Sequence, residues 1–404
     1  MSEAPTSETR AADVARASYG KLVAIMASRT GDIMAAEDAL ADAFVKALTT
    51  WPKTGIPNRP EAWLLTVARN RRADTERRDA RLDFTDEVPD MPDTAPDPDA
   101  FPDERLKLLF VCAHPAIDPG VHTPLMLQTV LGLEAADIAD VYLASAPAMA
   151  QRLVRAKRKI KAAGIPFAIP DPDALATRLT PVLEAIYGAY ARDWFAGDGD
   201  LSQEALFLAS ILAQSLPHEP EALGLAALLT FAQARRDARL VDGMLVPVPE
   251  QDTNLWDQEM IDAAAATLER AAAFHQPGRF QLEAAIQAVH MARSVTGQTN
   301  WRALSQLYMG LNRLYPTMGG AVAQAAAVGE DAGPAQGLAL LAKLPQADLA
   351  TFQPFHAVRA HLLAQKGEVQ AAADAYSQAI DLAQDTPTKV WLSARLSKLS
   401  EKFS

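Results

Sequence analysis

Apolar residues recur at intervals of three and four along the first 82 residues, which is the spacing of helices that bury one face. The spacing predicts helices over residues 11–29, 34–51 and 61–82, and it includes Leu48 among the apolar positions of the second helix. Residues 51–60 contain three prolines and a glycine, so they predict a loop. This first block is therefore predicted to be helical on both sides of one loop.

A second block of the chain has the spacing of four shorter helices. They are predicted at residues 105–113, 124–131, 134–141 and 146–162. Ser145 is a suitable N-cap for the last helix, since its hydroxyl can accept hydrogen bonds from free amides of the first turn. Two helices joined by a tight turn predict a helix-turn-helix motif, whose second helix enters the major groove in DNA-binding proteins.

The second helix of this motif is strongly basic on its polar side. Its apolar stripe consists of Met149, Leu153, Ala156 and Ile160. Its polar positions hold six bases and no acid, namely Arg152, Arg155, Lys157, Arg158, Lys159 and Lys161. Because an ordinary surface helix mixes charge signs, this pattern favours a face that binds phosphates.

The chain after residue 164 predicts helices throughout, with a trace of internal repetition. Tyr308 and Tyr376 lie 68 residues apart, which is twice the tetratricopeptide period of about 34 residues. Residues 355–383 have the pattern of one such helical hairpin, with Gly367 at its turn. Arrays of such hairpins form concave surfaces that bind other proteins.

Charge is distributed unevenly along the 404 residues. The net charge of −12 argues at first against a nucleic-acid partner. However, residues 82–104 contain nine acids, five prolines and no base, which is typical of an extended linker. Residues 164–404 hold 26 acids against 17 bases. The acidic excess thus lies outside the basic helix and does not exclude DNA.

Two parts of the chain resemble the extracytoplasmic-function sigma factors of bacterial RNA polymerase. The segments AEDALADAFVKALTTWP and PEAWLLTVARNRRADTERR resemble region 2 of that family, and LEAADIADVYLASAPAMAQRLVRAKRKIKAAG resembles region 4. The resemblance implies an all-α fold with a region 2 bundle at 1–82, an acidic linker at 83–104 and a region 4 helix-turn-helix at 105–164. A subgroup of the family also carries a tetratricopeptide-like helical domain, which would occupy residues 171–404.

The resemblance also assigns residues to three surfaces. Asp38, Asp42 and Phe44 would dock on the clamp coiled coil of core RNA polymerase, although Ala41 stands where the family often has glutamine. The candidates for promoter −10 recognition are Asn58, Arg59, Asn70, Arg71, Arg72, Arg77 and Arg78. At the −35 element, Gln151, Arg152 and Arg155 would read bases, whereas Lys157, Arg158, Lys159 and Lys161 would bind phosphates.

The remaining parts of the chain have less specific implications. Region 4 would also contact the polymerase flap, and the linker would thread through the polymerase cleft, although a solvated tether fits its sequence equally well. Ala148 and Ala150 replace the hydroxyl and basic residues that are frequent in the family, which shortens the set of base readers. The C-terminal domain is expected to modulate activity, with a regulatory protein as its candidate partner.

Two other classes of protein remain as alternatives. An enzyme is disfavoured because the histidines lie at no metal-ligand spacing from an acid and because Gly-rich phosphate loops are absent from the sequence. No catalytic residue, metal or cofactor is therefore expected. The second alternative is a one-component helix-turn-helix regulator with a sensing domain, which predicts one DNA-binding block. The region-2-like block before the linker argues against it.

The sequence also predicts where the protein works. Cys112 is the single cysteine, so no internal disulfide is expected and a reducing compartment fits. The polar N-terminus does not have the pattern of a signal peptide, and the apolar stretches are shorter than a membrane span. A cytoplasmic protein with no membrane partner is expected.

Overall fold

Helices dominate the protein, as the spacing of apolar residues predicts. The computed structural model describes the backbone of residues 7–79, 104–196, 200–345 and 349–402, and the side chains of residues 18–71, 104–192, 201–345 and 349–401. Within these ranges the fold is all-α apart from one short hairpin, so the predicted fold class is confirmed. Contacts divide the chain into two compact units, Met1–Leu212 and Ala213–Ser404. Most of the predicted linker lies outside the described residues.

The first unit contains both of the blocks identified in the sequence. Its helices are α1 (Ser7–Thr30), α2 (Ile33–Thr54), α3 (Pro60–Asp79), α4 (Glu104–Cys112), α5 (Pro119–Thr129), α6 (Ala135–Val141), α7 (Ala146–Ala162), α8 (Pro172–Ala196) and most of α9 (Asp200–Ser215). Helices α1, α2 and α3 pack on one another, and α1 also packs against α4. The two blocks therefore meet within one compact unit.

Helix α2 is longer than its spacing predicts. Asp32 caps its start, with the carboxylate accepting a hydrogen bond from the amide of Ala35 at 3.1 Å. The helix continues past the predicted end at Trp51 and includes the following proline. The Trp51 side chain is buried in the core, which anchors the last turn. Gly55, in a left-handed conformation with φ +86°, then ends the helix.

Helices α6 and α7 lie where the helix-turn-helix prediction places them. The Ser145 hydroxyl accepts a hydrogen bond from the amide of Ala148 at 3.4 Å, as expected of an N-cap. The predicted apolar stripe of α7 is buried throughout (Met149, Leu153, Ala156 and Ile160). In the turn, Leu143 is left-handed with φ +49°, and 97% of its surface is exposed. That conformation is unfavourable for leucine, because its Cβ crowds the following carbonyl.

The C-terminal part of the chain begins on the first unit and not as a separate body. Helix α8 packs against α5 and α4. Buried Arg105 of α4 forms a salt bridge with Glu204 of α9, and Arg192 of α8 forms one with Asp137 of α6 at 3.2 Å. The predicted domain start at residue 171 therefore differs from the boundary in the structure, where the compact units divide after Leu212. The reason is that these helices bury apolar surface on the second block.

The second unit is a series of packed helices interrupted by one β-hairpin. The helices are α10 (Pro220–Ala234), α11 (Gln258–Ala272), α12 (Arg279–Met291), α13 (Arg293–Thr296), α14 (Trp301–Leu314), α15 (Met318–Ala332), α16 (Pro334–Leu341), α17 (Gln353–Lys366), α18 (Val369–Leu382) and α19 (Thr386–Lys402). Short 3-10 turns lie at Val248–Glu250 and Thr253–Leu255. Neighbouring helices pack in order along the chain, as α10 does on α11 and α17 does on α18.

The hairpin corrects the prediction that this part is helical throughout. Strands β1 (Leu240–Val241) and β2 (Met244–Leu245) pair antiparallel. The two residues between them, Asp242 and Gly243, have φ values of +51° and +76°. A two-residue hairpin turn needs positive φ at both positions, and the Asp-Gly pair is a strong sequence signal for it. The signal was present in the sequence, although its flanking strands are too short to show alternation.

The hairpin of helices predicted at residues 355–383 is present. Helix α17 ends at Gly367, which has φ +85°, and α18 follows at once. Tyr376 is buried in the core that α17, α18 and α19 share, whereas Tyr308 packs with Leu304 in a separate cluster. The assignment of this unit to tetratricopeptide repeats stays a prediction.

Candidate polymerase- and DNA-binding surfaces

One face of α2 is left uncovered by those residues of the first unit that the structure describes. Asp38 and Asp42 are exposed on it, and Phe44 is half-buried at its edge. Val45, with 62% of its surface exposed, and Leu48, with 44%, continue the same stripe. Leu48 was predicted to face the core, but the buried stripe of α2 runs one residue earlier. The result is an acidic and apolar surface of the kind that binds another protein.

Within the described part of the chain, Asp42 forms a salt bridge that lies in solvent. The Asp42 carboxylate lies 3.5 Å from the Nε atom of Arg71, and both side chains are more than half exposed. Such an exposed ion pair contributes little to stability. Asp42 can therefore exchange this partner for one on another protein. Val45 was not predicted as a site residue, although its position three residues after Asp42 places it on the same face.

The described residues proposed for −10 recognition lie at two places, one just before α3 and one near its middle. Asn58 and Arg59 are exposed in the loop before the helix, and Asn70 and Arg71 are exposed near its middle. The two pairs are separated by roughly 16 Å along the axis, because a helix rises about 1.5 Å per residue. They can therefore follow a nucleic-acid backbone but cannot form one pocket. The side chains of Arg72, Arg77 and Arg78 lie outside the described residues.

Two aromatic residues beside this surface belong to the core. The rings of Trp51 and Trp63 meet edge to face, with their centroids 5.6 Å apart. Trp63 is half-buried in this contact. Trp63 is thus placed as a packing residue and not as a platform on which bases stack.

Helix α7 presents most of its predicted DNA-binding residues to solvent. Gln151, Arg152, Arg155, Arg158 and Lys159 are exposed. A guanidinium nitrogen of Arg155 donates a hydrogen bond to Oε1 of Gln151 at 3.3 Å, so the two side chains are positioned together one turn apart. Arginine and glutamine side chains in such positions can form paired hydrogen bonds with guanine and adenine in the major groove.

The two remaining bases of α7 bind carboxylates of α2. The Lys157 ammonium lies 2.6 and 2.8 Å from the two carboxylate oxygens of Glu37, and only 6% of the residue is exposed. Lys161 lies 2.6 Å from the carboxylate of Asp32, although its side chain is 66% exposed. In this arrangement carboxylates engage both lysines, and the role of these lysines in phosphate binding stays a prediction. The acidic partners were not predicted as functional residues, and no signal in the sequence pairs them with α7.

The two carboxylates differ in how the contact changes their protonation. Burial raises the pKa of Glu37, and the attraction of Lys157 offsets this effect only in part. Burial also raises the pKa of Asp32, but hydrogen bonds from Lys161 and from the amide of Ala35 outweigh it and hold the pKa below its ordinary value. The contacts of Asp32 thus favour its charged form, whereas burial makes the charged form of Glu37 less favourable.

The contacts and burial of the histidines and Cys112 bear on whether they could act as metal ligands or nucleophiles. Among the described residues, no group of three or more His, Cys, Asp or Glu side chains could hold a metal ion. His361 contacts Glu330 at 2.7 Å, and buried His356 contacts the carbonyl oxygen of Leu349 at 3.1 Å. Burial raises the pKa of Cys112 to about 12, which leaves the thiol protonated and unreactive at neutral pH.

Across the ranges that the structure describes, no helix is both long enough and apolar enough to cross a membrane.

Comparisons with known proteins match two parts of the chain to families. Residues 14–82 match sigma-70 region 2, and residues 178–272 match a family of unknown function, DUF6596. An uncharacterised protein of Rhizobium meliloti (strain 1021) is 36% identical over 382 residues, which cover 90% of each chain. No solved structure gives a significant match. The α2 stripe and the exposed loop before α3 both lie inside the region 2 match, whereas α7 lies outside both family matches.

Proposed function

Because the chain belongs to the same family as the Rhizobium meliloti protein and contains a sigma-70 region 2, we propose that it is a sigma factor of the extracytoplasmic-function group. The region 2 match by itself supports a sigma-factor-like role in promoter recognition, with core RNA polymerase and promoter DNA as partners. The finer proposal is that residues 105–164 act as region 4 and that the protein acts in the cytoplasm without catalytic chemistry of its own.

The observation that carries this proposal is the uncovered stripe of α2 within the region 2 match. Asp38 and Asp42 would contact the clamp coiled coil of the polymerase, with Phe44 supporting them. Exposed Val45 and Leu48 extend the same surface and would bury apolar area in the complex. A one-component regulator has no need of such a surface, so this stripe favours the sigma factor over that alternative.

Promoter recognition is divided between two surfaces in this proposal. Asn58, Arg59, Asn70 and Arg71 of the first block, together with Arg72, Arg77 and Arg78, would contact the −10 element. Gln151, Arg152 and Arg155 would read the −35 element in the major groove, and Arg158 and Lys159 would bind phosphates beside it. The exposure of these α7 side chains and the Arg155–Gln151 hydrogen bond support this assignment.

The C-terminal part is proposed to modulate promoter recognition, with a regulatory protein as its candidate partner. The support comes from the way α8 and α9 attach to the second block. Arg192 of α8 forms a salt bridge with Asp137 of α6, the first helix of the helix-turn-helix motif. Glu204 of α9 forms one with buried Arg105 of α4. A change in these helices would therefore be transmitted directly to the elements that hold α7.

The proposal is tested by measuring binding to core polymerase and transcription together. Full-length protein should co-elute with core RNA polymerase and direct run-off transcription from the promoter upstream of its own gene. The double variant Asp38→Asn/Asp42→Asn should weaken core binding by about tenfold or more, since each change removes a charged contact. The matched control is Asp374→Asn/Asp381→Asn, which removes two exposed acids of the second unit and should bind core normally. Failure of the wild type to bind core and to support transcription would overturn the proposal.

A further inference from the structure

Within the first unit, the helices that resemble region 2 pack directly on those that resemble region 4. Helix α1 lies against α4 and the end of α5. At Gly20 the approach is so close that a Cβ atom would overlap the backbone carbonyl of Val130. A glycine inside a helix costs stability relative to alanine, and here the close approach requires it. The sequence is thus adapted to this contact between the two blocks.

A second contact between the blocks is electrostatic and involves the DNA-binding helix. The Glu37 carboxylate holds the Lys157 ammonium with both of its oxygens, at 2.6 and 2.8 Å. One turn further along α7, Lys161 binds Asp32, the residue that caps α2. The contact therefore joins the start of α2 to the C-terminal half of α7 through two parallel ion pairs.

These ion pairs and a DNA phosphate exclude each other at Lys157. The Lys157 side chain is almost completely buried, and its ammonium already contacts both carboxylate oxygens of Glu37. A buried ammonium without an anionic partner is unfavourable. Lys157 can therefore separate from Glu37 only if another anion takes the place of that carboxylate. A DNA phosphate is such an anion, but it can reach Lys157 only after α2 has moved away from α7.

We propose that the contact between α2 and α7 is autoinhibitory. In the free protein α2 covers part of the DNA-binding face of α7, and Lys157 and Lys161 exchange Glu37 and Asp32 for phosphates when α7 binds the promoter. This inference rests on the proposed function, because it takes α7 as the helix that binds the −35 element. The contact would also reduce non-specific binding of DNA by the free protein, because carboxylates at the start of α2 neutralise two of the bases of α7.

The closed contact is tested first by the reactivity of lysines in the full-length protein. An amine-acylating reagent, read out by peptide mass spectrometry, should modify Lys157 about tenfold more slowly than Lys159, its exposed neighbour on the same helix. Glu37→Gln removes the charged partner, and Gly20→Ala forces the two blocks apart without changing any charge. Both variants should raise the Lys157 rate towards that of Lys159. Equal rates for the two lysines in the wild type would overturn the inference.

Inhibition is tested by the binding of a fluorescent duplex that contains the −35 element, in the absence of polymerase. Glu37→Gln and Gly20→Ala should each bind the duplex at least about threefold more tightly than the wild type. Glu134→Gln is the matched control, since it removes one exposed acid at the start of α6 that takes no part in the contact. If the two opening variants bind no more tightly than this control, the contact does not inhibit. Circular dichroism checks that Gly20→Ala remains folded.

Transcription assays separate this inference from the function on which it rests. In the complex with core polymerase but without DNA, Lys157 should react as it does in the opened variants, and promoter DNA should then protect it. If Lys157 stays bound to α2 in complexes that transcribe, the autoinhibition is refuted while the sigma factor stands. If holoenzyme yields no transcript and no variant binds DNA, the sigma-factor proposal is refuted, although the lysine reactivities still report the closed contact.

Discussion

Neighbouring bases on α7 have different partners, and their roles follow from those partners. Arg152 and Arg155 project into solvent near the start of the helix, whereas Lys157 is buried against Glu37. An exposed arginine retains hydrogen-bonding capacity for a base edge or a phosphate, because its present partners are water and, for Arg155, the neighbouring Gln151. In the proposed function, base reading therefore belongs to the exposed part of the helix.

The double variant Arg152→Ala/Arg155→Ala should abolish transcription that depends on the −35 element. Each paired contact between an arginine and guanine contributes about 1–3 kcal/mol, so promoter affinity should fall by roughly thirtyfold or more. Binding to core polymerase should remain nearly normal, because the α2 stripe is unchanged. Promoter binding and run-off transcription measure the first effect, and co-elution with core measures the second.

The control for this variant is Arg302→Ala/Arg313→Ala, which removes two exposed arginines from the second unit. It should transcribe as the wild type does. An equal loss of core binding in the α7 variant would mean that α7 does not have a separate role in DNA recognition.

At the scale of elements, the turn between α6 and α7 combines strain with exposure. Leu143 adopts a left-handed backbone conformation, and almost none of its side chain is buried. The leucine side chain thus contributes little packing to offset the unfavourable conformation. The turn geometry is imposed by the caps and packing of the two helices that it joins.

Leu143→Gly should therefore raise the free energy of unfolding by about 0.5–1 kcal/mol, since glycine adopts this conformation without strain but loses more entropy on folding. Urea denaturation measures the change. Ala144→Gly, at the next position and outside the set of positive φ values, should lower the free energy of unfolding instead. A loss of stability in Leu143→Gly would show that the exposed leucine makes a stabilising contact in solution.

At the scale of the whole molecule, the end of the second block at residue 164 is not a structural domain boundary. Helix α8 packs on α4 and α5, and α9 supplies Glu204 to buried Arg105. A chain that ends at residue 164 would expose this apolar surface and leave Arg105 without that carboxylate. A chain that ends at residue 216 keeps both helices and the salt bridge.

The chain 1–216 should therefore unfold at a higher temperature than 1–164, and 1–164 should aggregate more readily. Loss of one partner from a buried ion pair costs about 3–5 kcal/mol by itself. Thermal unfolding and light scattering of the two chains measure these effects. Equal stability would mean that α8 and α9 do not support the second block. Run-off transcription with 1–216 and with the full chain then shows whether the second unit activates or inhibits.

The sequence by itself determined the helices, their buried stripes and the basic face of α7, whereas the surfaces proposed to bind polymerase and the −10 element came from the resemblance to sigma factors. The helices, the stripes and the basic face are local properties, since the spacing of apolar residues, Ser145 as a cap and the run of bases on α7 are set by residues within a few positions of one another. The exposed face of α2 was predicted in part, through Asp38 and Asp42. Its register was one residue off at Leu48, because a stripe of small alanines marks the buried face weakly.

Only the tertiary structure decided which of the bases on α7 are available. Lys157 lies at the flank of the apolar stripe, a position that is exposed on an isolated helix. Its burial depends on Glu37, which is 120 residues away along the chain and reaches α7 only because α1 and α2 pack on the second block. The attachment of α8 to that block is decided in the same way. The local sequence around a charged residue does not specify its partner when that partner is distant in the chain. Such contacts are therefore decided by how the helices pack and not by the spacing of residues within one segment.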